Sequence, residues 1–283
     1  MRLTLLVTLT MIAFAANSVL NRMAVAEFSM DPLPFAVVRV AAGAFVLVAI
    51  VMLRKRRGAW SGLGRRWGGA VALATYMLGF SYAYQTLGAG LGALILFGSL
   101  QLMLFGWAVW TGQRVARAKW LGMAVALVGL VVLLWPSKAA SVPLGGTLAM
   151  LVATAGWASY TVQGQAAADA LARSAENFVL CLPLVALPLL AQTGSFGGWG
   201  GLACAIVAGG VTSGLGYALW YRVLPKLAVT QAALAQLSVP VIAVLGGAAL
   251  LSEPITARML MAATLVLGGI AVSIAPTVRA DHS

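Results

Sequence analysis

Short polar segments divide the chain into apolar runs of about 17 to 25 residues, and this succession restricts the fold more than any other feature. A run of that length crosses the roughly 30 Å hydrocarbon core of a bilayer as a helix, since only a helix or a closed barrel satisfies its own backbone groups there. The runs predict helices near 3–25, 33–53, 67–87, 90–111, 118–135, 144–163, 176–192, 199–221, 228–250 and 257–276. Of 283 residues, 62% are hydrophobic and 8% charged, whereas soluble domains carry roughly 25% charged residues and could not bury so much apolar side chain. The fold class expected is therefore an all-α membrane protein with ten transmembrane helices. Arg2 and Ala24-Val25-Ala26 look like the ends of a secretory leader, but the run is too long and carries Asn17, Asn21 and Arg22, so a retained first helix is expected.

The net charge of +12 does not point to nucleic acid, because nucleic-acid binders gather basic residues on one polar face. Here they sit in short loops. With ten spans and a cytoplasmic start, one side holds Arg2, Arg54, Lys55, Arg56, Arg57, Arg65, Arg66, Arg114, Arg117, Lys119, Arg173, Arg222, Lys226 and Arg279. The other side holds only Arg22, Lys138 and Arg258. That bias predicts both termini in the cytoplasm, with anionic lipid head groups as partners on the basic side.

Nothing in the sequence suggests catalysis. Cys181 and Cys204 lie in apolar runs without metal or redox spacing, the only histidine is His282, and no HExxH or GxSxG motif occurs, so no cofactor, metal or enzymatic activity is expected. The acids Glu27, Asp31, Asp169, Glu176, Glu253 and Asp281 all fall at or beyond the predicted helix ends. Proton-coupled carriers keep a titratable group within the membrane, so facilitated movement of a solute is favoured over proton antiport. The charged rings or carbonyl filters of channels are not seen.

The halves repeat. Phe14-Ala15-Ala16-Asn17-Ser18 matches Trp157-Ala158-Ser159-Tyr160-Thr161 at a spacing of 143, and Gly79-Phe80 and Tyr84-Gln85-Thr86-Leu87 match Gly216-Tyr217 and Tyr221-Arg222-Val223-Leu224 at 137. Gly106, Gln113, Leu121 and Gly129 meet Gly246, Glu253, Met261 and Gly269 at 140. Five helices duplicated make ten, and an odd number inverts the second copy about an axis in the membrane plane. The expected units are residues 1–137 and 138–283.

On these residues, with Arg39 and the segment Leu250-Leu251-Ser252-Glu253-Pro254 before Gly268-Gly269, the chain resembles the drug/metabolite transporter superfamily. It is most similar to the ten-helix EamA-type exporters and, among them, to the YddG-type aromatic amino-acid exporters. It departs from the pattern at Gln113, where the first half is expected to carry Glu. The resemblance implies two inverted five-helix repeats around a central cavity lined by helices 1, 3, 4, 6, 8 and 9, and export of a small metabolite. Multidrug export and a passive channel stand as alternatives.

Polar and aromatic side chains within spans are the candidate pathway. Phe14, Asn17, Ser18 and Asn21 share one helical face, and Trp157, Tyr160, Thr161 and Gly164 share the matching face of the sixth helix. Tyr76 and Tyr82 flank Gly79, while Tyr217 and Trp220 follow Gly216. Gln101 and Gln236 lie near mid-span, where an unpaired amide is costly. The expected substrate-binding set is Asn17, Tyr76, Tyr82, Gln101, Trp157, Tyr160, Tyr217 and Gln236, with packing between helices as the competing role. Trp60, Trp67, Trp110, Trp120, Trp135 and Trp199 lie near span ends and read as interfacial belts. Arg39 has two readings: an ion pair with Glu27 or Asp31 or snorkelling to the head groups, and capture of a substrate carboxylate.

Overall fold

The computed structural model describes residues 2–54, 67–113, 115–135, 142–165, 169–191, 194–227 and 229–274. Most of the loops 54–66 and 136–143, including Trp60, and the tail bearing Arg279, Asp281 and His282 lie outside the described residues. The elements are α1 (Arg2–Ala26), α2 (Pro32–Leu53), α3 (Trp67–Ala83), α4 (Ala89–Trp110), α5 (Arg117–Leu134) and α6 (Leu144–Gln165). There follow α7 (Ala170–Ala186), α8 (Gly198–Val207), a π-helical segment (Ala208–Leu215), α9 (Gly216–Val223), α10 (Val229–Gln236), α11 (Ser238–Leu251) and α12 (Ala257–Ile274). Among the described residues there is no strand.

Eight stretches among the described residues are long and apolar enough to cross a membrane: α1, α2, α4, α5, α7 with its trailing turn, the continuous run Gly198–Lys226, the run Leu234–Leu251 that joins the end of α10 to α11, and α12. The 17-residue α3 and the hydroxyl- and amide-bearing α6 stand outside that set. Prolines mark the irregularities. Pro32 and Pro34 open α2, where a missing N–H costs nothing. Pro240 cannot donate to the carbonyl of Gln236, and the predicted ninth helix is broken there into α10 and α11. The seventh helix begins at Ala170, six residues before the predicted start at 176, because the Asp169 side chain accepts the Ala172 N–H at 3.1 Å and caps it. Glu176 is thereby placed inside a span, buried and 3.7 Å from Arg173, and not at a helix end as the sequence suggested.

Small residues set the packing, as membrane helices require where no hydrophobic effect draws them together. Helix α3 lies along α6: a Cβ on Gly79 would sit 2.8 Å from the Ala149 carbonyl oxygen, and one on Gly156 would sit 2.7 Å from the Tyr76 nitrogen. Helix α5 lies along α12, where a Cβ on Gly269 would sit 2.5 Å from the Gly122 carbonyl oxygen and one on Gly129 would sit 2.8 Å from the Val266 nitrogen. In both pairs rising numbers on one helix meet falling numbers on the other, so they run antiparallel. So do α4 and α11, with Gly90 against Val244 and Gly247 against Ala89. By contrast α2 runs parallel to the π segment, Gly209 touching Arg39 and Ala42, and Gly214 touching Val46.

The expected belt residues Trp67, Trp110, Trp120, Trp135 and Trp199 are exposed on the rim of the bundle, while Trp157 packs inside it. At the end where α3 turns into α4, a latch joins three segments. Both Glu253 oxygens accept the Ala89 N–H, at 3.0 and 2.8 Å, and Arg22 Nε lies 3.4 Å from the same carboxylate. Arg22 Nη1 also donates to the carbonyls of Tyr84 and Gln85 at 2.9 and 3.1 Å.

Candidate functional site

The π-helical segment AGGVTSGL carries three glycines, which give the backbone latitude for a wider turn. The wider winding brings Thr212 and Ser213 together toward α1, where both hydroxyls donate to Asn17 Oδ1 at 2.7 and 3.3 Å. Ser213 also accepts from Arg39 Nε of α2 at 3.3 Å, and Arg39 Nη2 donates to the Tyr76 hydroxyl of α3 at 3.3 Å. Four elements therefore meet on one chain of hydrogen bonds: Asn17, Ser213, Arg39 and Tyr76.

Arg39 is only 1% exposed and is among the largest fully buried side chains. Its guanidinium lies 5.5 Å from the Tyr76 ring centroid and 5.0 Å from that of Phe80, within reach of a cation–π interaction. It pairs with neither Glu27 nor Asp31, and Asp31 instead accepts the Ser195 N–H at 2.7 Å. Nor does the side chain snorkel outward, since it is fully enclosed. Its Nη1 and the Asn21 Oδ1 are the two buried side-chain atoms without a hydrogen-bond partner among the described residues.

Around this chain stands an aromatic cluster. Trp157 is 4.9 Å from Tyr76, 5.8 Å from Tyr217 and stacked at 5.4 Å on Tyr160. Tyr217 in turn meets Phe14 at 6.0 Å and Phe178 at 5.8 Å, both edge-on. Tyr160 is held by a 2.9 Å hydrogen bond to Ser174 of α7, which also reaches the Tyr221 hydroxyl at 3.2 Å. The geometry presents flat faces for stacking, hydroxyls for directional hydrogen bonds and one fixed positive charge.

Of the residues singled out in the sequence, Asn17, Tyr76, Trp157, Tyr160 and Tyr217 are brought together here. Tyr82 is not: it is exposed and lines a separate cleft of about 420 Å³ at the latch end, with Asp31, Pro34, Gln85, Ala191 and Gly194. Gln101 and Gln236 are half-buried, on α4 and at the end of α10, and neither is hydrogen-bonded to the chain around Asn17. Sequence reasoning missed Thr212, Ser213 and Phe80. A signal for the first pair existed, since Thr212 stands 137 residues after Thr75, the same spacing that links Gly79 to Gly216.

Comparison with known proteins agrees with this architecture. Residues 144–275 match the model of the EamA-like transporter family. An uncharacterized protein of Pseudomonas aeruginosa is 45% identical over 276 residues, covering 97% of this chain and 95% of its own length. A protein of Archaeoglobus fulgidus described as an uncharacterized transporter is 28% identical over 248 residues, covering 85% of this chain and 88% of its own. A crystal structure with 20% sequence identity superposes with a TM-score of 0.66 over 94% of each chain, a likeness of fold. The chain belongs to the EamA-like transporter family, and its work is the transport of small solutes across a membrane.

Proposed function

We propose that the chain exports amino acids, aromatic or hydrophobic ones, across the bacterial inner membrane by alternating access, moving them down their gradient without proton coupling. The observation that carries this reading is the convergence of Trp157, Tyr76 and Tyr217 on the hydrogen-bonded chain of Asn17, Ser213 and Arg39. The two unpartnered buried atoms are a cationic donor on Arg39 and an acceptor on Asn21. An amino acid's main-chain groups offer the complement of both. Substrate-binding roles are proposed for Asn17, Tyr76, Trp157, Tyr160 and Tyr217, with Tyr82, Gln101 and Gln236 further along the path. A lipophilic-cation exporter fits less well, since the charge buried at the aromatic cluster is positive.

Ten spans in two inverted repeats, residues 1–137 and 138–283, are part of the proposal, and helix directions support them. If α3 and α6 both cross, α5 opposes α12, α4 opposes α11, and α2 runs with the eighth span; these are the relations of the glycine contacts. Omitting either or both reverses at least one of them. The inverted reading also requires the fifth and tenth spans, equivalent under the repeat, to lie antiparallel, as α5 and α12 do. Among the described residues, Glu176 is the one acid within a span that the uncoupled mechanism must accommodate, and Arg173 lies beside it.

The test is counterflow in proteoliposomes loaded with unlabelled phenylalanine and given labelled phenylalanine outside. Saturable exchange that competitors reduce, with no pH gradient imposed, is expected. A linear leak identifies a channel, and exchange of lipophilic cations alone identifies a multidrug carrier.

A further inference from the structure

We infer that Arg39 is the anchor for a carboxylate on the transported molecule, so that the site takes a carboxylate joined to an aromatic or apolar body; this rests on the transport reading above. A guanidinium stays charged in any protein environment. An isolated charge within a membrane span is costly and is found paired or facing a pathway. Arg39 is 1% exposed, yet no carboxylate pairs with it among the described residues: Arg22 lies beside Glu253, and Arg173 beside Glu176. Its bonds go only to neutral hydroxyls, Ser213 on Nε and Tyr76 on Nη2, both at 3.3 Å.

Those bonds, with the Tyr76 and Phe80 rings, fix the plane of the fork and leave Nη1 without a partner. A guanidinium held by neutral groups with one donor left over is prepared for a planar anion, and a carboxylate matches it. Tyr76 touches both the guanidinium and, at 4.9 Å, the Trp157 ring. The charge and the stacking faces are therefore within reach of one small molecule, which explains why an arginine stands in an otherwise aromatic cluster.

The experiment uses the full chain in proteoliposomes. Counterflow of labelled phenylalanine is competed by 3-phenylpropionate, which keeps ring and carboxylate, and by 2-phenylethylamine, which keeps ring and ammonium. In the wild type, phenylethylamine is expected to need a concentration about 10- to 100-fold higher than phenylpropionate, the loss of one charge-assisted contact. Arg39→Gln should close that gap, and Arg39→Lys should restore part of it. Equal competition by the two analogues in the wild type overturns the assignment whether or not the variants fold. A folded Arg39→Gln that keeps the gap also overturns it, as does displacement by inorganic phosphate at the concentrations effective for phenylpropionate. If labelled phenylpropionate exchanges and labelled amino acids do not, the amino-acid reading falls and the Arg39 assignment stands. If phenylalanine exchanges and the analogues compete alike, the assignment falls and the amino-acid reading stands. If nothing exchanges, both fall.

Discussion

Replacing Glu253 with Gln keeps the shape of the latch and removes its charge. The Ala89 N–H retains an acceptor, but the negative charge at the start of α4 is lost, worth about 0.5 to 1 kcal/mol at a helix N-terminus. The Arg22 pair at 3.4 Å is lost too; its side chains are 24% and 18% exposed. Solvent screens a pair so placed, which limits it to about 0.5 to 1 kcal/mol. Together these give about 1 to 2 kcal/mol, or roughly a 5- to 30-fold shift toward any state in which this end is open. Ser18 is buried one turn below Arg22 and offers a conservative reporter position. In a Ser18→Cys chain with Cys181 and Cys204 replaced, a bulky thiol reagent should react about 5- to 30-fold faster once Glu253→Gln is added. Adding Arg22→Gln should then raise the rate little further, because the pair is already broken. If Glu253→Gln lowers the melting temperature while labelling at position 18 stays at its original rate, the carboxylate is only a helix cap and the latch does not gate.

Trp157→Ala removes ring contacts at 4.9, 5.4 and 5.8 Å, so competition assays should show an affinity loss of about tenfold for aromatic substrates and less for small aliphatic ones. Asn17→Ala should weaken transport in a protein that still folds, as judged by size-exclusion chromatography. Gly269→Ala drives a methyl group against the Gly122 backbone and should lower unfolding stability by about 1 to 3 kcal/mol, whereas Gly268→Ala, which faces open space, should not. Cysteine labelling in intact cells should place positions 54–66 and 112–119 in the cytoplasm and 136–143 outside; 54–66 on the outer side would overturn the orientation. Exchange should persist in Glu176→Gln without a pH gradient, and abolition of uphill export by that substitution would refute the uncoupled mechanism.

The helical class and most span positions were readable because hydropathy over 20 residues depends on composition and not on neighbours. The start of α7 was not: Ala170–Ala175 is too mixed to look like membrane, and the Asp169 cap that begins it is a single local hydrogen bond. That one displacement carried Glu176 from a predicted helix end into a span. For the site, face periodicity and the repeat pointed to Asn17, Trp157 and Tyr160, which do converge with Tyr76 and Tyr217. Periodicity failed at Thr212 and Ser213, because a π-helical turn changes the register on which such arguments depend. Tyr82 was chosen for flanking Gly79, but six residues beyond Tyr76 it points to another side of α3 and ends at the separate cleft beside Asp31 and Gln85. Arg39 was legible as unusual, while the absence of an acidic partner could be seen only in three dimensions.

The broadest helix contacts all join the first part of the chain to the second: α3 with α6, α5 with α12, α2 with α7 and the π segment, and α4 with α11. This has a consequence for biogenesis. The opening helices leave the ribosome and enter the bilayer before the surfaces that will cover their glycine-lined flanks exist. At synthesis rates of about 5 to 20 residues per second, the wait for residues 138–283 lasts roughly 7 to 30 s. During that interval Arg39 lacks Ser213, and Asn17 lacks the hydroxyls of Thr212 and Ser213. A nascent chain stalled near residue 137 should therefore be a substrate for membrane quality control, while two fragments divided there and synthesised together should find each other and restore the carrier.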